Sequence, residues 1–265
     1  MTIEQIIVIA VVQGITEFLP ISSSGHLVLV PYLFHWPDQG QFVDVMVHVG
    51  TLFAILIYFW RDVWKLIVGA LELFRGKVTQ DGKLAIYIVL ATIPAVAFGL
   101  FLKKFGVGDL ERSVTIVAWN TVIYGILMLI ADMLGRQEKT IENMTLKSAM
   151  IIGVAQALAL IPGTSRSGIT MTAARFLNFT RPDAARFSFL LGIPAIAGAG
   201  VLTVGEALAS GDAITMDAIY CAILTFFAGL AAIAFLMALV RRISFLPFVL
   251  YRMVLGGFLL FMIYL

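Results

Sequence analysis

The sequence predicts an all-α, polytopic membrane protein, with about six transmembrane helices and two re-entrant helical hairpins arranged as an inverted-topology repeat. Four observations carry this reading. Of 265 residues, 61% are hydrophobic and 13% charged, with a mean hydropathy of +1.01; soluble domains are about half apolar and about a quarter charged. Apolar stretches recur at about the 20-residue length a helix needs to cross the hydrocarbon core. The alternating strands of a membrane β-barrel are missing. Finally, two apolar regions are each interrupted by small and polar residues in matching order.

In chain order, the first interrupted region is Ile3–Phe34, broken at Pro20 by Ile21-Ser22-Ser23-Ser24-Gly25-His26. Spans follow at Val43–Trp60, Leu84–Leu102 and Ser113–Leu134. The second interrupted region is Ala149–Leu177, broken at Pro162 by Gly163-Thr164-Ser165-Arg166-Ser167-Gly168. Spans at Phe187–Leu208, Ala218–Val240 and Leu246–Leu265 complete the chain. Each half of an interrupted region is too short to span comfortably. One long helix kinked at proline is one reading. A re-entrant hairpin is the other, and it is favoured because each break holds a run of small and polar residues rather than a lone proline. Such backbone survives at membrane depth only under cover of protein or a water-filled cavity.

Charge orients the spans. Loops 61–83, 135–147 and 241–245, with the segment carrying Arg175, Arg181 and Arg186, hold thirteen Lys and Arg; the opposite side holds three, Lys103, Lys104 and Arg112. The positive-inside rule makes the first group cytoplasmic. Both termini then lie outside, the first hairpin enters from outside and the second from inside. No cleavable signal peptide is expected, since the N-terminus lacks a basic region and a small-residue cleavage site. Loop 61–83 has about the size of a connector. The near-balance of 18 basic and 16 acidic residues offers no field for nucleic acid. The single cysteine, Cys221, excludes an intramolecular disulfide framework.

The two breaks repeat one another. Gln13 precedes Gly25 by 12 positions, and Gln156 precedes Gly168 by 12. Pro20 is followed by Ser-Ser-Ser-Gly, and Pro162 by Ser-Arg-Ser-Gly. The halves, about residues 1–134 and 147–265, form one integral membrane domain. Broken helices at corresponding places of two halves point to a site near the bilayer midplane.

Ionisable residues inside an apolar segment are functional candidates by default. The first break has Glu17 and His26, and the second has Arg166. Gln13 and Glu17, four apart, share a helical face. Gly25, Gly163 and Gly168 let backbone approach a ligand closely. The half-helices starting near Ser24 and Ser167 offer free N–H groups to an anion. Arg166 adds a planar fork of donors suited to phosphate oxygens. Ser22, Ser23, Thr164 and Ser165 lie in the same runs. Glu17, with Gln13 and phosphate oxygens, could hold a divalent cation, and Ser or His could act as nucleophile. The set reads as phosphoryl-transfer chemistry.

Structural readings stand beside these. The serines could cap broken helix ends, and Gln13 could bond across helices. Glu17 and Arg166 could be a buried ion pair, and His26 a satisfied core histidine. Asp44 and His48, four apart near the start of the first span, are weaker signals, with Asp44 interfacial. Asp132, Glu206 and Arg252 lie near span ends, where side chains snorkel.

At these residues the sequence resembles the bacterial undecaprenyl pyrophosphate phosphatases, also called bacitracin resistance proteins. Gln13-Gly14-Ile15-Thr16-Glu17 and Pro20 to His26 look like the family's [E/Q]xxxE and PxSSxGH signatures, and Pro162 to Gly168 looks like its PGxSRSG signature. The resemblance runs from about residue 4 to the C-terminus. It implies removal of the terminal phosphate from a C55 polyprenyl diphosphate, giving the lipid carrier of cell-wall precursors. It also implies a multi-pass protein of the bacterial cytoplasmic membrane, with its site facing the external side and a divalent cation, Mg²⁺ or Ca²⁺, as cofactor. By motif, Glu17 and Gln13 are the acidic positions and metal ligands, Ser23 and His26 the serine–histidine pair, and Arg166 the phosphate-binding arginine. Substrate contacts are expected from Gln13, Ser22, Ser24, Gly25, Gln156, Gly163, Thr164, Ser165, Ser167 and Gly168. Gln13 stands where other members carry Glu, so Glu17 is the one charged ligand. Ser23 attacking with help from His26, and His26 attacking itself, both remain open. The partners expected are the polyprenyl diphosphate and membrane lipids, with a homo-oligomer left open. A lipid-carrier flippase or other inverted-repeat transporter is the rival from another class.

Overall fold

The computed structural model describes residues 1–105, 113–210 and 215–264. Among them every regular element is helical. Eleven α-helices follow in order: α1 (Ile3–Thr16), α2 (Ser23–Phe34), α3 (Gln41–Tyr58), α4 (Trp60–Phe74), α5 (Gln80–Lys104), α6 (Val114–Leu134), α7 (Leu146–Leu158), α8 (Arg166–Phe176), α9 (Arg181–Ser210), α10 (Met216–Leu239) and α11 (Leu246–Tyr264). One 3-10 turn, Ile141–Asn143, lies between α6 and α7.

Of these, α5, α6, α9, α10 and α11 are long and apolar enough to cross a membrane. The expected first span, Val43–Trp60, is α3, which ends at Tyr58; it passes the same test only together with α4, from which it is bent by 83°. Exposed Phe53, Val89, Ile93, Phe227, Phe235, Val254 and Phe258 stud the outer faces of these helices. Large side chains in that position belong against lipid. The chain is a polytopic helical membrane protein.

Residues 61–83 are more than a connector. Within them α4 exposes Trp60, Trp64, Ile67, Leu71 and Phe74 along one face, with the Arg61 guanidinium 5.3 Å from the Trp60 ring centroid. Apolar and aromatic residues on one stripe, with cations beside it, suit a helix lying at a bilayer surface. Its inner face meets α5 so closely that a Cβ on Gly69 would stand 2.4 Å from the Gly82 nitrogen.

Short helices at the two breaks are held by partners from the other half. The helix α1 packs on α10, and α7 packs on α5. Small residues allow both approaches: a Cβ on Gly14 would lie 2.5 Å from Ala228 Cβ, and one on Gly153 would lie 2.2 Å from the Ala91 carbonyl oxygen. Such close backbones are how helices associate where lipid removes the hydrophobic drive between them. The helices α3 and α9 pack together, as do α6 and α11. Between the halves, Phe18 meets Phe189 edge-on at 5.4 Å. The two breaks are thereby brought together in the interior.

Two residues depart from the sequence reading. Asp132 and Arg252 sit near span ends in sequence, yet neither snorkels: they are 8% and 0% exposed. Asp132 accepts from Arg175 Nε at 3.1 Å, from Arg181 Nε at 2.7 Å and from the Phe245 amide at 2.9 Å. Arg175, also buried, donates to the carbonyls of Gly135 and Phe179. A buried charge this well partnered has no reason to reach for water. The side chain of Glu206 and the loop containing Arg112 lie outside the described residues.

Candidate active site

Each break is built by one serine in a left-handed conformation. Ser22 has φ +76° and Ser165 has φ +73°. A non-glycine residue there costs about 1–3 kcal/mol of strain. Both are N-caps. Ser22 Oγ accepts from the Gly25 amide and Ser165 Oγ from the Gly168 amide. The Ser22 and Ser165 carbonyls accept the amides of His26 and Ile169. The half-helices therefore begin at Ser23 and Arg166, slightly before the positions read from the sequence. The amides of Ser23, Ser24, Arg166 and Ser167 are left over, as at any helix start.

The glycines serve the turns. A Cβ on Gly25 or Gly168 would stand 3.3 or 3.0 Å from the capping serine Oγ. Gly163 has φ +84°, and a Cβ there would fall 2.5 Å from the Val117 carbonyl oxygen of α6. The close approach it allows is to the protein's own backbone rather than to a ligand.

Glu17 caps α1 and is 5% exposed. Four groups converge on its carboxylate. Gln13 Nε2 donates to Oε2 at 3.0 Å, and the Ser23 hydroxyl donates to Oε2 at 2.6 Å. Arg166 Nη2 donates to Oε1 at 3.0 Å, and His48 Nε2 stands 3.4 Å from Oε2. The ion pair between Glu17 and Arg166 thus joins residues 149 positions apart. Arg166 is steadied by a bond from Nη1 to the Ser188 carbonyl at 3.2 Å. Its Nε is buried without a hydrogen-bond partner, and so is the Thr164 hydroxyl. Unused buried donors of this kind are suited to phosphate oxygens.

His26 turns elsewhere. Its Nδ1 meets the Ser22 carbonyl at 2.7 Å, and its Nε2 meets the Tyr251 hydroxyl at 2.6 Å. A carbonyl only accepts, so Nδ1 carries the proton and Nε2 accepts from tyrosine. Ser23 and His26 share a turn but not a hydrogen bond. Ser22 and Ser24 sit 3.4 Å apart, and Ser165 and Ser167 3.3 Å apart, by their hydroxyls. Ser167 also donates to the Leu19 carbonyl, stitching the second break to the first. Ser24 is exposed, whereas Gln156 is buried with both amide atoms unpartnered and is not joined to the Glu17 cluster.

Sequence reasoning missed four contributors. His48 had its signal in the pair with Asp44, whose carbonyl accepts its Nδ1 at 2.6 Å. Ser188 stands in the run Phe187-Ser188-Phe189-Leu190-Leu191, which resembles a segment of the same family, and Tyr251 left no signal. Gly192 makes room for the arginine: a Cβ there would fall 1.9 Å from Arg166 Nη1.

A divalent cation fits what is present. Gln13 Oε1 is buried without a partner beside the Glu17 carboxylate. Among the described residues no group of three or more His, Cys, Asp or Glu could hold a metal. One carboxylate and one amide oxygen match a cation that draws its remaining ligands from phosphate and water.

Known proteins resemble this chain along nearly its whole length. The family model described as bacitracin resistance protein BacA matches residues 6–258. An undecaprenyl-diphosphatase of Erythrobacter litoralis (strain HTCC2594) is 49% identical over 282 residues, covering 98% of this chain and 99% of that protein. One from Jannaschia sp. (strain CCS1) is 48% identical over 266 residues, covering all of both chains at 100%. One from Roseobacter denitrificans (strain ATCC 33942 / OCh 114) is 45% identical over 262 residues, covering 98% of each. Near-complete coverage at this identity, with the signatures of both breaks gathered on one carboxylate, places the chain in the bacitracin resistance protein BacA family.

Proposed function

We propose that this protein hydrolyses the terminal phosphate of undecaprenyl diphosphate, releasing undecaprenyl phosphate and inorganic phosphate. It would recycle the lipid carrier of cell-wall synthesis in the bacterial cytoplasmic membrane, from a site opening to the external side, and so confer bacitracin resistance. The observation that carries this is the meeting of Ser23 and Arg166 on Glu17, a nucleophile and an anion-binding cation on one buried carboxylate. The names of the relatives, undecaprenyl-diphosphatases across their full length, support the same substrate.

The chemistry follows from the hydrogen bonds. Arg166, its Nε unpaired, and the leftover amides at the starts of α2 and α8 bind the terminal phosphate. Ser23 Oγ attacks the terminal phosphorus while its proton passes to Glu17 Oε2, 2.6 Å away. The bond to the bridging oxygen breaks, and undecaprenyl phosphate leaves with that oxygen. Water then attacks the phosphoserine phosphorus, the bond from phosphorus to Ser23 Oγ breaks, Glu17 returns its proton to Oγ, and inorganic phosphate leaves with the water oxygen and its protons. Both nitrogens of His26 are engaged, by Ser22 and Tyr251, which favours Ser23 as the nucleophile. Glu17 and Gln13 Oε1 would hold a Mg²⁺ or Ca²⁺ ion, which supplies further neutralisation of diphosphate charge.

The test is phosphate release from undecaprenyl diphosphate by the purified protein, with and without EDTA, beside Arg166→Ala. Release that depends on metal and on Arg166 is expected. A folded protein that releases no phosphate with any divalent cation overturns the proposal.

A further inference from the structure

Arg252 contributes nothing to the chemistry above, yet it is completely buried at 0% exposure. Its hydrogen bonds are unusual in both number and target. Nε donates to the Thr121 carbonyl at 3.0 Å. Nη1 donates to the carbonyls of Pro20 at 3.3 Å and Thr164 at 3.2 Å. Nη2 donates to those of Asn120 at 3.2 Å and Gly163 at 2.8 Å. A guanidinium has five N–H donors in a fixed plane. All of them are spent on backbone, and the carbonyls come from three places: the middle of α6, the first break and the second break.

The targets matter more than the count. Pro20 lies two residues before the left-handed Ser22, and Gly163 two before the left-handed Ser165. One rigid side chain from α11 thus holds the same point of both turns, and fixes both to α6. Breaks in a membrane helix leave carbonyls that water cannot reach, and each must find a donor or cost free energy. Arg252 supplies those donors from a single plane. The distance between the turns then sets the distance from Ser23 to Arg166, because each lies one residue beyond its turn serine.

We infer that Arg252 is the positioning residue that clamps the two breaks into register, so that the Ser23 hydroxyl and the Arg166 guanidinium face one substrate phosphate. The inference rests on the phosphatase reading for its kinetic consequence, but not for its structural one. Lysine cannot substitute: it keeps the charge, but its three donors on one nitrogen cannot span both turns and α6.

Arg252→Lys and wild-type protein are to be compared in detergent by thermal unfolding, hydrogen exchange resolved by segment, and phosphate release from undecaprenyl diphosphate. The variant is expected to stay folded, with exchange accelerated about tenfold at residues 19–26 and 161–168 together and unchanged in α9 and α10. Its kcat should fall about 100-fold with KM within about threefold of wild type, the mark of misplacement rather than lost binding. If Arg252→Lys does not fold, Gly125→Ala takes its place: the added Cβ would displace the flexible end of Met253, whose Cε is 2.5 Å away, and would stand tightly against Arg252 Cβ at 3.2 Å. The same paired change, smaller in size, is expected. Exchange that rises at one break alone or at neither, or an unchanged kcat in an active enzyme, overturns the clamp. Wild-type protein that releases no phosphate, with the paired exchange change present, overturns the phosphatase reading and leaves the clamp standing.

Discussion

Ser23 and Arg166 occupy the same place in two matching turns, one residue beyond the left-handed serines Ser22 and Ser165, and both donate to the carboxylate of Glu17. The repeat has thus given one position two chemistries. In the first half it presents a hydroxyl, and in the second a fixed positive charge. The position matching Glu17 in the second half is Leu160, partly exposed and apolar. A single acid consequently serves both halves, and the site is asymmetric although its scaffold is not.

The first prediction concerns that acid. Glu17→Gln keeps the shape and can still meet Gln13 and Arg166, but it cannot take the serine proton. Phosphate release should fall by about 10²–10⁴-fold, the contribution of a positioned general base. Ser23→Ala should fall at least as far, and the double variant no further than the worse single one, because the two residues act as a unit. Additive losses in kcat would separate Glu17 from the serine.

His26 is tied to Tyr251 rather than to Ser23. Tyr251→Phe removes the donor to Nε2 and leaves the aromatic stack with His26, whose centroids lie 5.7 Å apart. A loss of no more than about tenfold in kcat is expected, one ordinary hydrogen bond of about 1 kcal/mol. Rapid quench with substrate labelled in its terminal phosphate should place the label on Ser23 in wild type. Label recovered on His26 would reverse the assignment of nucleophile.

Much of this was legible in sequence for a physical reason. Breaks must contain residues that turn or cap, so Pro20, Ser22, Gly25 and their counterparts announce themselves, and the four-residue spacing of Gln13 and Glu17 fixes a shared helix face. What stayed hidden depends on contacts across the chain. Helical spacing pairs Ser23 with His26, but the left-handed φ of Ser22 sends the hydroxyl to Glu17 and the imidazole to the Ser22 carbonyl. Arg252 reaches Pro20 across 232 positions, a relation no local pattern encodes. The helix α4 was hidden differently, because Arg61, Asp62 and Lys65 interrupt the apolar run and leave only the stripe of Trp60, Trp64, Ile67, Leu71 and Phe74 to mark it.

Asp132 should matter for stability rather than turnover. Its carboxylate holds Arg175, Arg181 and the amide of Phe245, far in sequence from one another. Asp132→Ala leaves a buried guanidinium without its counter-charge, a loss of about 3–5 kcal/mol. A lower unfolding temperature in detergent is expected, with KM of the surviving enzyme unchanged. An unaltered unfolding transition would mean that Arg175 is satisfied by its carbonyl bonds alone.

The sharpest steric prediction lies at Gly192. A Cβ there would fall 1.9 Å from Arg166 Nη1 and 2.6 Å from Cζ, so the guanidinium must move. Among the described residues the Arg166 guanidinium donates to Glu17 and to the Ser188 carbonyl, and both bonds should weaken. Gly192→Ala is therefore expected to lower kcat/KM by about 10–100-fold, an overpacking cost of about 1–3 kcal/mol delivered to one side chain. Gly198→Ala lies on the same helix with nothing within 4 Å of the added carbon, and it should leave kcat/KM unchanged. The comparison separates displacement of Arg166 from any general effect of alanine in α9. If the two variants turn over alike, the space beside Gly192 is not what positions the arginine.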